Sequence, residues 1–98
     1  MTSAALLKSR EELEECRRRI DAVDLEILKL LNQRTGIVQE IGEIKHRCDM
    51  PIYEPKREDA VFRNVLSNNP GPLSGEAVKR VFERIIDEMR TVQRDRMV

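Results

Sequence analysis

The chain has 98 residues, with 18 Lys or Arg balanced by 18 Asp or Glu. It therefore lacks the basic surplus expected of a nucleic-acid binder or of an anionic-membrane binder. Charged residues make up 37% and aromatics only 3%, which suits long helices better than a sheet and predicts an all-α fold. One small domain, 1–98, fits this length, and a helical domain so short buries only a modest share of its surface, which favours oligomerisation.

The opening stretch "MTSAALLKSREEL" has no sustained apolar run, and no later segment approaches a membrane span, so a soluble, cytoplasmic protein is expected. From Leu13 the apolar positions run Cys16, Ile20, Val23, Ile27, Leu30, then Arg34, then Ile37, Ile41, Ile44 and Cys48. The steps alternate three and four, which is a heptad seam, and Leu28, Leu31 and Val38 add a second flank. No proline interrupts residues 9–47, so one helix is predicted there, ~58 Å long if straight. A monomer this small cannot bury such a seam, and a partner chain is required. Cys16 and Cys48 lie on that seam roughly 48 Å apart and cannot pair within the helix. Buried, reduced thiols are expected instead. A single His, His46, with no clustered Cys makes a zinc site improbable.

"CDMPIYEP" is the first break, because Pro51 and Pro55 bias the residues before them to extended backbone. Pro55 suits the first position of a second helix, 55–68, with Val61, Phe62, Val65 and Leu66 inward. "NNPGPLSG" is a stop and turn. Ser74 is a suitable N-cap for a third helix, 74–96, with Glu76 in its first turn. That helix places Val78, Phe82, Ile85, Met89 and Val92 on one face.

Several charges break this pattern. Arg34 stands in a seam of Ile and Leu, where an isolated charge is heavily penalised unless an anion meets it. A polar seam residue can also serve to fix register and partner choice. Lys45 follows Arg34 by three turns with little angular drift, so both lie near one face about 16 Å apart. Gln93 follows Met89 by one turn and points inward with it. Arg57 and Glu58 open the second helix. Arg17 lies ~25 Å from Arg34 and ~42 Å from Lys45 along the same helix, so no small ligand touches all three within one chain. Two antiparallel copies of the helix would bring Arg17 of one towards Arg34 and Lys45 of the other.

Three stretches, "CRRRIDAVDLEILKLLNQRTGIVQEIGEIK", "PIYEPKRE" and "VFERIIDEMRTVQ", resemble the all-helical (AroQ-type) chorismate mutases over roughly residues 10–95. The resemblance implies three helices per chain in an intertwined homodimer with two equivalent sites. It implies a substrate, the dianion chorismate, that rearranges intramolecularly to prephenate in aromatic amino acid biosynthesis, with no cofactor and no covalent intermediate. By position, Arg17 would reach into the partner's site, while Arg34 and Arg57 would hold carboxylates in their own. Lys45 and Gln93 would donate to the ether oxygen of the breaking bond. Glu58, with the backbone around Glu54, would position the ring hydroxyl. A [3,3] rearrangement needs a compact reactive conformer and help for charge appearing on the ether oxygen, and this inventory supplies both.

One position departs from the pattern. Some relatives carry a small hydroxyl residue four before the Gln, where this chain has Met89, so one substrate hydrogen bond is missing or comes from elsewhere. Others have Glu at the Gln position, whereas the neutral amide of Gln93 does not titrate. The nearest rival, isochorismate-pyruvate lyase, tends to carry an apolar residue where Glu58 stands. A non-catalytic helical dimer that senses or docks in aromatic biosynthesis is the rival from another class.

Overall fold

Thr2 starts the first helix: its Oγ1 accepts the Ala5 N–H at 3.1 Å and its carbonyl accepts the Leu6 N–H at 3.0 Å, the two bonds of an N-cap. Helix α1 accordingly spans Ser3–Cys48, beginning before the predicted position 9. The segment ahead of that position contains the good helix formers Ala4, Ala5, Leu6 and Leu7, and Thr2 caps them. The computed structural model describes the backbone of residues 2–97 and the side chains of residues 2–95.

The helix ends in a Schellman motif. The Met50 N–H bonds the Lys45 carbonyl at 2.8 Å, the Asp49 N–H reaches the His46 carbonyl at 3.4 Å, and Asp49 takes φ 53° in the left-handed region. After the irregular segment 50–54, which bends at Ile52, Pro55 occupies the first turn of α2, Pro55–Ser67. Asn69 shapes the next connection, donating to the Leu73 carbonyl at 2.7 Å and accepting the Gly71 N–H at 3.0 Å. Ser74 then caps α3, Gly75–Met97, through the Ala77 N–H at 3.1 Å. Three helices, one long and two shorter, are the whole of the regular structure among the described residues.

Cα packing divides the chain into two units, Met1–Arg34 and Thr35–Val98. The first is helix alone. Its seam residues Leu13, Ile20, Val23, Ile27 and Leu30 are between 49% and 60% exposed. Cys16 is exposed there as well, and Cys48 in the second unit likewise. This corrects the expectation of buried thiols: inside a single chain the seam faces that carry them are uncovered.

The second unit has the core. Val38, Val78, Ile86 and Met89 are buried, with Phe62 and Val65 of α2 half-buried against them. Ile86 belongs to this core although the predicted α3 face ran through its neighbour Ile85, while Leu66, expected inward, is exposed. No helix of the described residues is long and apolar enough to cross a membrane.

Candidate active site

Lys45 is 95% buried, the only charged residue among the described ones to be so. A desolvated ammonium is tolerable only with acceptors for each of its three N–H groups, and three oxygens supply them. Nζ donates to the Ile52 carbonyl at 3.1 Å and to Gln93 Oε1 at 2.8 Å, and it forms an ion pair with Glu54 Oε1 at 2.7 Å. Each comes from a different place in the sequence. Lys45 is near the end of α1, Gln93 near the end of α3, and Ile52 and Glu54 are in the irregular segment between α1 and α2. Glu54 stands at the N-cap position of α2 without bonding the helix through its side chain. Its carboxylate goes to Lys45 instead, and Pro55, which has no N–H, leaves one fewer donor to cap.

The pairing also orients Gln93. An ammonium can only donate, so the amide turns its oxygen towards Lys45 and leaves Nε2 as the end able to donate to a ligand. One helical turn earlier, Met89 is buried and its sulfur accepts a hydrogen bond from Thr35 Oγ1 at 3.7 Å.

Glu58, in the first turn of α2, is held by a residue that the sequence pattern did not single out. Arg90 of α3 grips it with Nε to Oε2 at 2.9 Å and Nη2 to Oε1 at 2.6 Å, and its Nη1 reaches Asp87 Oδ1 at 3.3 Å. The guanidinium also lies over the Tyr53 ring, 5.6 Å from the centroid. The hydrogen bond to Glu58 raises the Arg90 pKa above its ordinary value, against a smaller opposing effect of burial. A groove of about 460 Å³ runs past this pair between α2 and α3, with Phe62 and Ile86 beside Arg80, Glu83, Arg84 and Asp87. Its charges largely neutralise one another, Arg84 pairing with both Asp87 and Glu88.

The structure thus brings together Lys45, Glu54 and Gln93, places Met89 one turn from Gln93, and sets Glu58 beside Arg90. Arg57 is exposed at the start of α2. Arg17 and Arg34 belong to the first unit, where Arg17 forms a 2.6 Å ion pair with Glu14 on the surface and Arg34 is half-buried. Chemically, the Lys45 cluster is a fixed ammonium, paired with the half-exposed Glu54 carboxylate, with an amide donor next to it. Such a pair stabilises negative charge developing on a bound oxygen without any proton being transferred.

Comparison with known proteins adds independent findings. The family model described as chorismate mutase type II matches residues 16–94. The bifunctional chorismate mutase/prephenate dehydratase of Aquifex aeolicus is 38% identical over 86% of this chain, which spans 24% of that protein's length. Among solved structures, chorismate mutase (form II) from Thermus thermophilus superposes with a TM-score of 0.83 at 32% identity, covering 85% of this chain and 94% of that one. Chorismate mutase from Helicobacter pylori, solved in complex with prephenate, gives a TM-score of 0.82 at 31% identity, over 89% of this chain and 94% of that one.

Proposed function

Since the chain belongs to the type II chorismate mutase family, we propose that it converts chorismate to prephenate by intramolecular [3,3] rearrangement, as an isomerase without cofactor. The observation that carries this reading is the buried Lys45 ammonium 2.8 Å from Gln93 Oε1, which sets a cation beside an amide whose Nε2 is left to donate to a ligand oxygen. In the rearrangement the C–O bond of the enolpyruvyl ether breaks as a C–C bond forms, and negative charge gathers on the ether oxygen. Lys45 and Gln93 Nε2 donate to that oxygen. Each such donor contributes roughly 3 kcal/mol to the transition state, around a hundredfold in rate.

All three Lys45 N–H groups face protein oxygens in the free chain, so the ether oxygen has to replace one of them. Glu54 is the partner that can leave: its side chain is 44% exposed, and an incoming dianion repels its carboxylate. The backbone around Glu54 then serves the ring hydroxyl together with Glu58. Arg34 and Arg57 clamp the two carboxylates, for which the planar guanidinium fork is suited. Holding the substrate in its compact conformer supplies several kcal/mol more. Met89 lines the site in place of a hydroxyl donor.

The working unit is a homodimer in the cytoplasm, each chain forming one mutase domain, 1–98, of which Met1 and Val98 lie outside the described residues. The exposed seam of the first unit supports this, since apolar side chains at Leu13, Ile20, Val23 and Ile27 are left uncovered and an antiparallel second copy would cover them. In that arrangement Arg17 of one chain completes the site of the other.

The deciding experiment incubates purified protein with chorismate and, separately, with isochorismate and identifies products by NMR. Prephenate from chorismate, abolished in Arg34→Ala, is the expected result. Pyruvate and salicylate from isochorismate would move the assignment to a lyase. No turnover of either substrate would leave a non-catalytic helical dimer.

A further inference from the structure

We infer that Arg90 is a positioning residue for the reaction: it aims the Glu58 carboxylate at the substrate's ring hydroxyl and ties that carboxylate to the segment flanking Lys45. The inference rests on the mutase reading above.

Glu58 has three rotatable side-chain bonds, and its side chain is 19% exposed, so nothing in α2 itself fixes where its oxygens point. Arg90 does. Two parallel N–H···O bonds at 2.9 and 2.6 Å hold carboxylate and guanidinium in one plane, a geometry that a single contact does not enforce. The fork uses one lone pair on each oxygen, and a carboxylate oxygen has a second. Glu58 therefore remains an acceptor for a hydroxyl, now in a fixed direction.

Arg90 is itself anchored on three sides, by Glu58, by Asp87 at 3.3 Å and by the Tyr53 ring under its face. Tyr53 lies between Ile52 and Glu54, the two residues of that segment that contact Lys45. One guanidinium thus links α3, the first turn of α2 and the segment that contacts Lys45. Sequence periodicity gives no hint of this, because Arg90 follows the inward Met89 and reads as a solvated helix charge.

The test measures kcat and KM for wild type, Arg90→Lys and Arg90→Met on chorismate and on the chorismate analogue lacking the ring hydroxyl, with circular dichroism to confirm helical content. Wild type is expected to prefer chorismate. In Arg90→Met, kcat/KM for chorismate should fall roughly 10- to 100-fold, the range for loss of a charge-assisted hydrogen bond, while the analogue's value changes little. The preference for the hydroxyl should collapse. Arg90→Lys keeps the charge but not the fork and should recover only part of it. An equal loss on both substrates leaves the preference unchanged, reduces Arg90 to a structural brace and overturns the inference; no loss on either substrate overturns it as well. Should Arg90→Met misfold, the same preference measured in Arg90→Lys decides the matter. If wild type forms no prephenate, the mutase reading fails and takes the inference with it; if wild type is active and the preference survives, the inference alone fails.

Discussion

Lys45 Nζ and Gln93 Oε1 stand 2.8 Å apart, and that contact settles which end of the amide can serve a ligand. The donor it exposes carries no titratable proton. The rate of prephenate formation is therefore expected to stay level from mildly acidic to mildly alkaline pH. Gln93→Glu inverts this. A carboxyl beside Lys45 ionises readily, and an ionised carboxylate cannot donate. Its activity should fall as pH rises and recover only in acid, where the group is protonated. A pH–rate profile of the two proteins checks the contrast, and a steep loss across neutrality in wild type would mean that another group governs the donor.

Removing the cation separates catalysis from stability. Lys45→Met deletes the charge proposed to face the ether oxygen and should lower kcat by about a hundredfold or more. Breaking a buried ion pair is usually damaging because the surviving charge is stranded. Here the survivor is Glu54, whose side chain is 44% exposed and can turn to water. A melting curve should shift by the equivalent of about 1 kcal/mol or less. A collapse in stability would show that Lys45 has a larger part in the fold than the exposure of Glu54 allows.

Met89→Ser should trade stability for affinity. A serine hydroxyl at this position can offer the substrate carboxylate the missing hydrogen bond, which would lower KM several-fold, on the order of 1 kcal/mol. The same change empties a core position, because Met89 is 7% exposed and packed in the core with Val38, Val78 and Ile86. Large-to-small changes at such sites cost about 2–5 kcal/mol. Lower KM with a lower Tm is the expected pair of results, and unimproved KM would count against Met89 lining the site.

Much of this was legible in the chain itself. The three-and-four spacing from Leu13 to Cys48 and the prolines at 51 and 55 announce the helices, because periodicity and backbone restriction are local properties. Gln93 was legible as inward because it shares a face with Phe82 and Met89. What stayed hidden depends on long-range placement. Nothing within α3 distinguishes Arg90 from Arg84, a surface residue whose partners lie on its own helix, until α2 delivers Glu58 to it. Nor does the sequence show that the Ile52 carbonyl turns towards Lys45. The earlier start of α1 was legible in principle, since Thr2 before "SAALL" is a capping signal.

The end of α1 predicts a stabilising change. Asp49 takes φ 53°, a conformation that glycine adopts without penalty and other residues at a cost of roughly 1–2 kcal/mol, less for Asp. Asp49→Gly should raise stability by about 0.5–1 kcal/mol, after the extra flexibility of glycine in the unfolded chain is counted. Glycine keeps the motif's backbone bond to the Lys45 carbonyl, so the change should leave kcat near the wild-type value. Thermal melts with a chorismate assay test both halves.

The last prediction concerns Arg17, whose guanidinium in the single chain contacts only the exposed Glu14, among the interactions described. If it completes the partner's site, Arg17→Ala and Lys45→Met should each be nearly inactive alone, yet complement when mixed and allowed to exchange subunits. A mixed dimer then contains one site with both defects and one with neither: the Arg17→Ala chain contributes Lys45, and its partner contributes Arg17. With random exchange half the dimers are mixed, so roughly a quarter of wild-type activity should return. Were Arg17 to serve its own chain, every site in every dimer would keep a defect and mixing would restore nothing. Sedimentation of the same samples shows whether the chains associate at all, and a folded, fully active monomer would rule out the shared site.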